Sequence, residues 1–242
     1  MAMTNFEHQG EAWTRITHEA SECFVVGVDL GCMGDPTAIC VLHHSRTPIN
    51  KWKVTKRANA DCYNVTEQEV AVLSAVVHLE RVPLGTEYPV VAEHVAALLQ
   101  RDPLDRVEPS PDLVCDATGV GLPVVQILEA KGLKPLKVTI TSGGEQTRLA
   151  NRHFHVAKSL LISHLDAAIH TGELRFAEKL LEAPAMKDEL ANFNRHVGSA
   201  GRATYAARTG QHDDLVLAVA LAVWRARGGQ GRATSGHLAG CY

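Results

Sequence analysis

The chain has 242 residues, of which 45% are apolar and 21% charged, values typical of a folded globular protein and unlike those of a disordered one. Its formal net charge of −3 excludes a protein that coats nucleic acid through overall positive charge, although a local basic groove is compatible with it. Its six cysteines show no C-x-x-C spacing, which indicates reduced core residues and neither a zinc site nor a disulfide framework.

The first half of the chain predicts an arm followed by meandering strands. Residues 1–22 are polar and weakly patterned, and we expect an arm or linker there. Residues 24–29 and 36–42 predict two strands joined by the Gly-rich turn GCMGDP, close enough in sequence to pair as a hairpin. The other elements predicted in this half are strands over 49–57 and 72–82 and a helix from Tyr88 to Gln100.

The second half alternates helices and strands. Residues 113–140 have the pattern strand, turn, helix, strand, which predicts a βαβ unit with two parallel strands. The elements that follow are a helix over about 155–170, a short strand ELRFA, a helix over 179–195, an extended segment RATYAAR and a helix from Asp213 to Arg225. The last helix contains LVLAVALAVW, which is apolar on every face and therefore predicts burial.

These elements predict an α/β fold with a mixed central sheet and helices on both faces. We expect residues 23–228 to form that domain and residues 229–242 to be a flexible tail. The start of the chain lacks the apolar stretch of a signal peptide, and no run of about 18 apolar residues occurs. The sequence thus predicts a cytosolic protein that does not span a membrane.

Acidic residues stand at the predicted ends of rigid elements. Asp29 follows the apolar run FVVGV, Asp116 follows LVC, and Asp213 and Asp214 open the last helix. Functional groups gather beyond the carboxyl ends of strands in open sheets, so Asp29 and Asp116 would converge if their strands are parallel neighbours. Hard divalent cations such as Mg²⁺ and Mn²⁺ take oxygen ligands, and several carboxylates in one cleft suit a two-metal site. The simpler interpretation is that these acids are turn residues and helix caps.

Five segments, in the order in which they occur, resemble the nuclease domain of phage large terminases. They are GVDLGCMGDPTAI, VVHLERVPLGTEYP, CDATGVG, HFHVAKSLLISHLDAAIHTGELRFA and GQHDDLVLAVALAVW, and together they cover roughly residues 24–226. The resemblance implies an RNase H-like fold, related to the RuvC resolvases, and an endonuclease that cuts concatemeric phage DNA during genome packaging. It also implies two divalent cations, Mg²⁺ or Mn²⁺, as cofactors.

The resemblance assigns roles to individual acids. Asp29 corresponds to the first-strand acid that would bridge both metals, Asp116 to the second acid, and Asp214 to the acid that opens the last helix. Asp213 is implied as a neighbouring auxiliary ligand, and Asp35 as an extra acid present in some members. His212 lies beside this cluster, where it would orient water or contact phosphate, although a histidine at a helix start is more often a cap or a surface residue.

Basic residues are predicted to contact duplex DNA through its phosphates, without reading sequence. Lys158, Arg148 and Arg152 would line a groove beside the acids, and Arg202 and Arg208, with Arg195, cluster before the last motif. Each of them is individually compatible with an ordinary solvated surface residue. The few aromatic residues show no interleaving with basic ones, so a stacking platform for single strands is not indicated.

The resemblance implies partners that the sequence itself does not contain. Large terminases carry an ATPase motor ahead of the nuclease, yet no G-x-x-x-x-G-K-[ST] phosphate loop occurs here. We therefore expect either an excised domain or a separate nuclease, acting with a terminase ATPase domain, a small terminase and a portal in the cytoplasm of an infected bacterium.

Three other interpretations remain open at the level of sequence. An actin-like ATPase or sugar kinase also opens with a strand and a D-x-G turn, and GVDLG and DATGVG fit that pattern loosely. The short chain and the acidic pair before the last helix favour a nuclease over this class. A RuvC-like junction resolvase would share the fold and the acids but acts on branched DNA. A catalytically silent docking domain would not need its four acids.

Overall fold

The computed structural model describes residues 1–31, 35–57, 63–119, 121–197, 203–207 and 213–228. Its helices are α1 (Tyr88–Leu99), α2 (Gly121–Ala130), α3 (Lys158–His170), α4 (Ala183–Asn192) and α5 (Asp214–Ala226). Its strands are β1 (Ala2–His8), β2 (Glu11–Thr17), β3 (Ser21–Asp29), β4 (Thr37–Arg57), β5 (Tyr63–Val82), β6 (Asp112–Asp116), β7 (Leu136–Thr141), β8 (Gln146–Ala150), β9 (His153–Ala157), β10 (Leu174–Phe176), β11 (Phe193–Val197) and β12 (Ala203–Ala207).

The chain divides into two compact units. The smaller unit consists of residues 1–22 and 44–73, and the larger unit consists of residues 23–43 and 74–242. The predicted domain over 23–228 is thus interrupted, because the distal parts of β4 and β5 group with the first 22 residues. None of the helices in the described part of the chain is both long and apolar enough to cross a membrane.

Strands of the larger unit are neighbours in the order β5-β4-β3-β6-β7-β9-β8, with β10 beside β5. The pairs β3–β6, β6–β7 and β7–β9 are parallel, whereas β8 is antiparallel to β9. The predicted βαβ unit is confirmed, since β6 and β7 are parallel neighbours joined through α2. The carboxyl ends of four successive strands therefore lie at one edge of the sheet.

Alternating side chains of the central strands pack on opposite faces. Val25 of β3 belongs to a core cluster with residues of α3 and α5, whereas Val26 and Val28 belong to a second cluster with residues of α1 and α2. This division follows from the two-residue period of a strand, and both faces need a helical cover because both are apolar. The predicted mixed sheet with helices on both faces is confirmed.

Helix α5 is buried along its length, as its sequence predicts. Every residue from Asp214 to Trp224 is buried, and the helix packs against the face of the sheet that carries Val25. Gly27 of β3 lies directly against this helix, where a Cβ atom would come within 2.2 Å of the Ala218 carbonyl oxygen. Only glycine permits this approach of strand to helix.

Gly27→Ala is therefore expected to destabilise the protein by roughly 3 kcal/mol, because the added methyl group meets backbone atoms that cannot rotate away. Urea unfolding followed by tryptophan fluorescence would measure the loss. Gly144→Ala is the matched control, since a Cβ there meets no atom within 4 Å. Equal stability of the two variants would contradict the close approach of β3 to α5.

The segment expected as an arm forms a hairpin in the smaller unit. Strands β1 and β2 pair in antiparallel register, and the two residues between them, Gln9 and Gly10, have φ values of 55° and 77°. Positive φ at both positions is characteristic of the type I′ turn that matches the twist of a hairpin. The sequence did not predict this turn, because Gln-Gly is a weaker turn signal than Asn-Gly and the two strands are largely exposed.

Other boundaries differ from the predictions. Strands predicted over 36–42 and 49–57 are one strand, β4, which runs through Pro48. The helix predicted over 179–195 is shorter, since α4 spans Ala183–Asn192 and the chain continues directly as β11. Strands β8 and β9 are not among the predicted elements, and the helix predicted over about 155–170 begins at Lys158, directly after β9. The tail over 229–242 lies outside the described residues.

Candidate active site

Asp29 and Asp116 lie side by side at the carboxyl edge of the sheet. They are the last residues of the parallel neighbours β3 and β6, and the register pairs Val28 with Cys115, immediately before each acid. Asp29 is only 9% exposed. The apolar strands thus place two carboxylates at one rigid position, as predicted from the sequence.

The acids at the start of α5 reach the same place. Asp213 is the N-cap residue and Asp214 the first helical residue, with only 3% of Asp214 exposed. Burial raises the pKa of Asp29 well above its ordinary value, and the negative charges of Asp116, Asp213 and Asp214 raise it further. Four carboxylates therefore lie within electrostatic reach of one another around Asp29.

Asp116 is held by the turn that follows it. Its Oδ1 accepts a 2.8 Å hydrogen bond from the Thr118 backbone N–H and another from the Thr118 hydroxyl, an Asx-type turn. The Thr118 Oγ1 in turn accepts a 2.8 Å bond from the Ile140 N–H of β7. The pKa of Asp116 is nevertheless raised, because burial outweighs these hydrogen bonds. At Gly121, a Cβ would come within 2.2 Å of the Asp116 carbonyl oxygen, which explains the glycine in ATGVG.

Lys158 provides positive charge to this cluster. It is the first residue of α3, directly after the carboxyl end of β9, and its Nζ donates a 2.6 Å hydrogen bond to Asp213 Oδ2. Its charge opposes the rise in the pKa of Asp29 and of Asp116. Lys158 therefore lies among the acids, about a quarter exposed, where it neutralises part of their charge.

Arg81, which no sequence pattern singled out, pairs with Asp214 and with two glutamates. Its Nε donates a 2.7 Å hydrogen bond to Asp214 Oδ2, its Nη2 pairs with Glu189, and its Nη1 lies 3.5 Å from Glu182 Oε2. Glu189 Oε2 also accepts a 3.0 Å bond from the Val216 N–H in the first turn of α5. The Arg81 guanidinium thus links β5 to α4 and α5.

Burial and neighbouring charges shift the pKa values of Arg81 and Glu189. Burial alone would lower the pKa of Arg81, but its hydrogen bond to Asp214 and the charges of Asp214, Glu189 and Glu182 raise it. Burial raises the pKa of Glu189 to about 7, against the lowering effect of its bond from Val216. The available sequence signal was Arg81 itself, inside VVHLERVPLGTEYP, but nothing there showed that it faces Asp214, 133 residues away.

Solved structures share this architecture, although no protein-family model matches the sequence and no curated protein matches it significantly. The large terminase nuclease from thermophilic phage G20c aligns over 83% of this chain and 81% of its own, with 19% identity and a TM-score of 0.51. Its magnesium-bound form aligns over 84% and 80%, with 20% identity and a TM-score of 0.52. The nuclease domain of the Thermus phage P74-26 large terminase aligns over 83% and 78%, with 19% identity and a TM-score of 0.50.

The chain has the fold of the large terminase nucleases. The predicted RNase H-like fold class is thereby confirmed. At this level of identity the likeness establishes the fold, and the roles assigned to individual residues stay predictions.

On this terminase nuclease fold, two of the predicted DNA contacts lie away from the acids. Arg152 pairs with Asp112, at the start of β6, whereas Asp116 ends that strand. Arg148 lies on β8 opposite Phe154, near the amino end of β9. The expectation that both line a groove beside the acids is not met. Both arginines lie near the amino ends of strands, and the acids lie at the carboxyl ends, one strand length away. Their contact with DNA elsewhere stays a prediction.

The remaining predicted residues divide into described and undescribed ones. Asp35 is exposed between β3 and β4, where it lines a pocket with Gly31, Thr37 and Tyr88. Arg202, Arg208 and His212 lie outside the described residues, and Arg195 is described only as part of β11.

The chemistry of the donor set fits hard divalent cations. The four convergent side chains are carboxylates, the ligands that Mg²⁺ and Mn²⁺ prefer. As they stand, Asp213 and Asp214 direct oxygens to Lys158 and Arg81, and no three ligating side chains among the described residues are grouped as a preformed metal site. Lys158 and Arg81 thus supply the positive charge that these carboxylates require.

Proposed function

We propose that the protein is a metal-dependent DNA endonuclease of the large terminase type, which cleaves concatemeric viral DNA during genome packaging. The observation that carries the proposal is the convergence of Asp29, Asp116, Asp213 and Asp214 at the carboxyl edge of the sheet. Burying several like charges together is unfavourable unless positive charge compensates them. A cluster of buried carboxylates therefore indicates a catalytic or binding role more than a stabilising one.

Asp29, Asp116, Asp213 and Asp214 would hold two divalent cations, Mg²⁺ or Mn²⁺. When bound, such ions activate water for attack on phosphorus and stabilise the charge of the leaving 3′ oxygen. Asp29 would be the central ligand, because it is buried at the end of β3 and the charges of Asp116, Asp213 and Asp214 all reach it. Thr118 fixes the orientation of Asp116, and Arg81 fixes that of Asp214. Hydrolysis breaks one P–O bond and leaves a 5′ phosphate and a 3′ hydroxyl.

The substrate in this proposal is double-stranded DNA, and Lys158 is the basic residue best placed to meet its phosphate near the acids. By the same likeness, the nuclease would act with a terminase ATPase domain, a small terminase and a portal in the cytoplasm of an infected bacterium. The solved structures that support this context are terminase nucleases of two phages.

Plasmid cleavage tests the proposal. With Mg²⁺ or Mn²⁺ we expect supercoiled plasmid to be nicked and then linearised. With EDTA we expect no cleavage, because the carboxylates without metal ions cannot activate water or stabilise the leaving oxygen. Agarose gel electrophoresis measures the products, and ATP hydrolysis is followed in parallel.

Other outcomes would favour other classes. ATP turnover without cleavage in any metal would favour the actin-like class. Cleavage of a four-way junction in strong preference to linear duplex would favour a RuvC-like resolvase.

A further inference from the structure

The distal part of β4 carries a concentrated positive charge. Residues 46–57 contain the basic residues Arg46, Lys51, Lys53, Lys56 and Arg57 and no acidic residue, within a chain that has 24 Lys and Arg against 27 Asp and Glu. This segment belongs to the smaller unit, which the candidate active site does not use. The charge is local to this strand, because the smaller unit as a whole has six Lys and Arg against seven Asp and Glu, with Glu67 and Glu69 on the neighbouring strand β5.

Two of these lysines share one face of the strand. Lys51 and Lys53 are two residues apart in β4, so their side chains point to the same side, about 6.8 Å apart along the strand. Both are exposed, as is Arg46, and none of the three forms an ion pair with another described residue. Because these side chains are exposed, a partner can reach them.

The other face of the same strand is occupied by contacts within the smaller unit. Trp52 lies between the two lysines in sequence and points the opposite way, where the guanidinium of Arg15 stands 5.5 Å from its ring centroid. The same guanidinium lies 5.0 Å from the centroid of Phe6, and Phe6 stacks on Trp13 at 6.2 Å. The hairpin of β1 and β2 thus fixes the strand through its aromatic face and leaves the lysine face outward.

We propose that the lysine face of β4, formed by Lys51 and Lys53, binds duplex DNA through its phosphates. Lysine ammonium groups act as point charges for phosphate and read no sequence. A duplex fits better than a single strand, because the aromatic ring nearest to the lysines is turned away and already stacked on Arg15, so it offers no platform for bases. The inference rests on the proposed function, since it takes DNA as the substrate, and it adds a binding surface on a different unit from the acids.

The test compares the wild-type chain with Lys51→Gln/Lys53→Gln in binding a fluorescent 30-base-pair duplex in EDTA, which prevents cleavage. We expect affinity to fall at least about fivefold. We also expect the slope of log K against log salt to shrink by about 1.8, since each lost phosphate contact on B-DNA removes about 0.9. The matched control is Lys131→Gln/Lys134→Gln, which removes two exposed lysines of the larger unit and should leave both quantities near the wild-type values.

Each outcome decides between the two proposals. If the Lys51/Lys53 variant and the wild type bind with the same affinity and salt slope, the lysine face does not contact DNA, and wild-type plasmid cleavage would still support the nuclease. If both lysine pairs weaken binding equally, the effect is one of overall charge and the inference is wrong. If the Lys51/Lys53 substitutions weaken binding to a single-stranded 30-mer, or to vesicles of anionic lipid, more than binding to the duplex, that ligand is the partner and duplex DNA is not. If the wild type neither binds duplex nor cuts plasmid, the proposed function itself is wrong.

Discussion

Asp29→Asn is expected to lower plasmid cleavage by at least about 10³-fold, since metal-ion catalysis supplies several kcal/mol and each 1.36 kcal/mol is a factor of ten in rate. The amide keeps the size of the side chain but removes the negative charge at the point where the other three carboxylates converge. The rate of nicking at saturating Mn²⁺ measures the effect. Asp166→Asn is the matched control, because the Asp166 side chain is 68% exposed on α3 and has no assigned role, so the variant is expected to retain most of the activity.

The same substitution should have the opposite effect on stability. Asn removes one buried charge from a group of like charges, so in EDTA the Asp29→Asn protein is expected to unfold at a higher temperature than the wild type. Addition of Mn²⁺ should raise the unfolding temperature of the wild type much more than that of the variant. A variant that loses activity and also stability, with no change in its response to Mn²⁺, would assign Asp29 a structural role instead.

Arg81→Met is expected to destabilise the protein by roughly 3 kcal/mol, because it removes the guanidinium that pairs with the buried side chains of Asp214 and Glu189. Methionine retains much of the apolar stem, so the loss reports the guanidinium. We also expect cleavage to fall by roughly 10²-fold at temperatures where the variant is folded, because Asp214 loses the hydrogen bond that orients it. Thermal unfolding and nicking rates measure the two effects separately.

Two further substitutions separate position from charge. Arg81→Lys keeps the charge but cannot reach Asp214, Glu189 and Glu182 at once, so intermediate stability and activity are expected. Arg106→Met removes an arginine whose side chain is 75% exposed and should change the free energy of unfolding by less than about 0.5 kcal/mol. If Arg81→Met cleaved DNA at the wild-type rate, Arg81 would have no part in positioning Asp214.

The sequence was informative wherever a local pattern determines the structure. The apolar runs of β3 and β6 predicted two strands that each end at an acid, and Asp29 and Asp116 converge because these strands are parallel neighbours. The burial of α5 followed from the absence of a polar face. Asp213 and Asp214 were grouped with the strand-end acids because they open a buried helix, and the resemblance added their individual roles, since nothing local fixes where a helix docks.

What the sequence did not predict depends on contacts between distant segments. Arg81 meets Glu189 across 108 residues and Asp214 across 133, and no spacing rule connects them. Lys158 was expected to contact DNA, and its bond to Asp213 depends on the carboxyl end of β9, a strand that the pattern had not revealed. The smaller unit was missed because its strands are mostly exposed and so lack the alternation that marks a half-buried strand.

The contact of Gly27 with Ala218 bears on the precision of the acid cluster. Gly27 precedes Asp29 by two residues of strand, about 7 Å, and Ala218 follows Asp214 by about one helical turn, about 6 Å. The positions of both carboxylates therefore depend on one contact between backbones, which is too close to admit a methyl group. The distance between Asp29 and Asp214 is thus set inside the hydrophobic core, and a substitution at Gly27 would shift these carboxylates without replacing either of them.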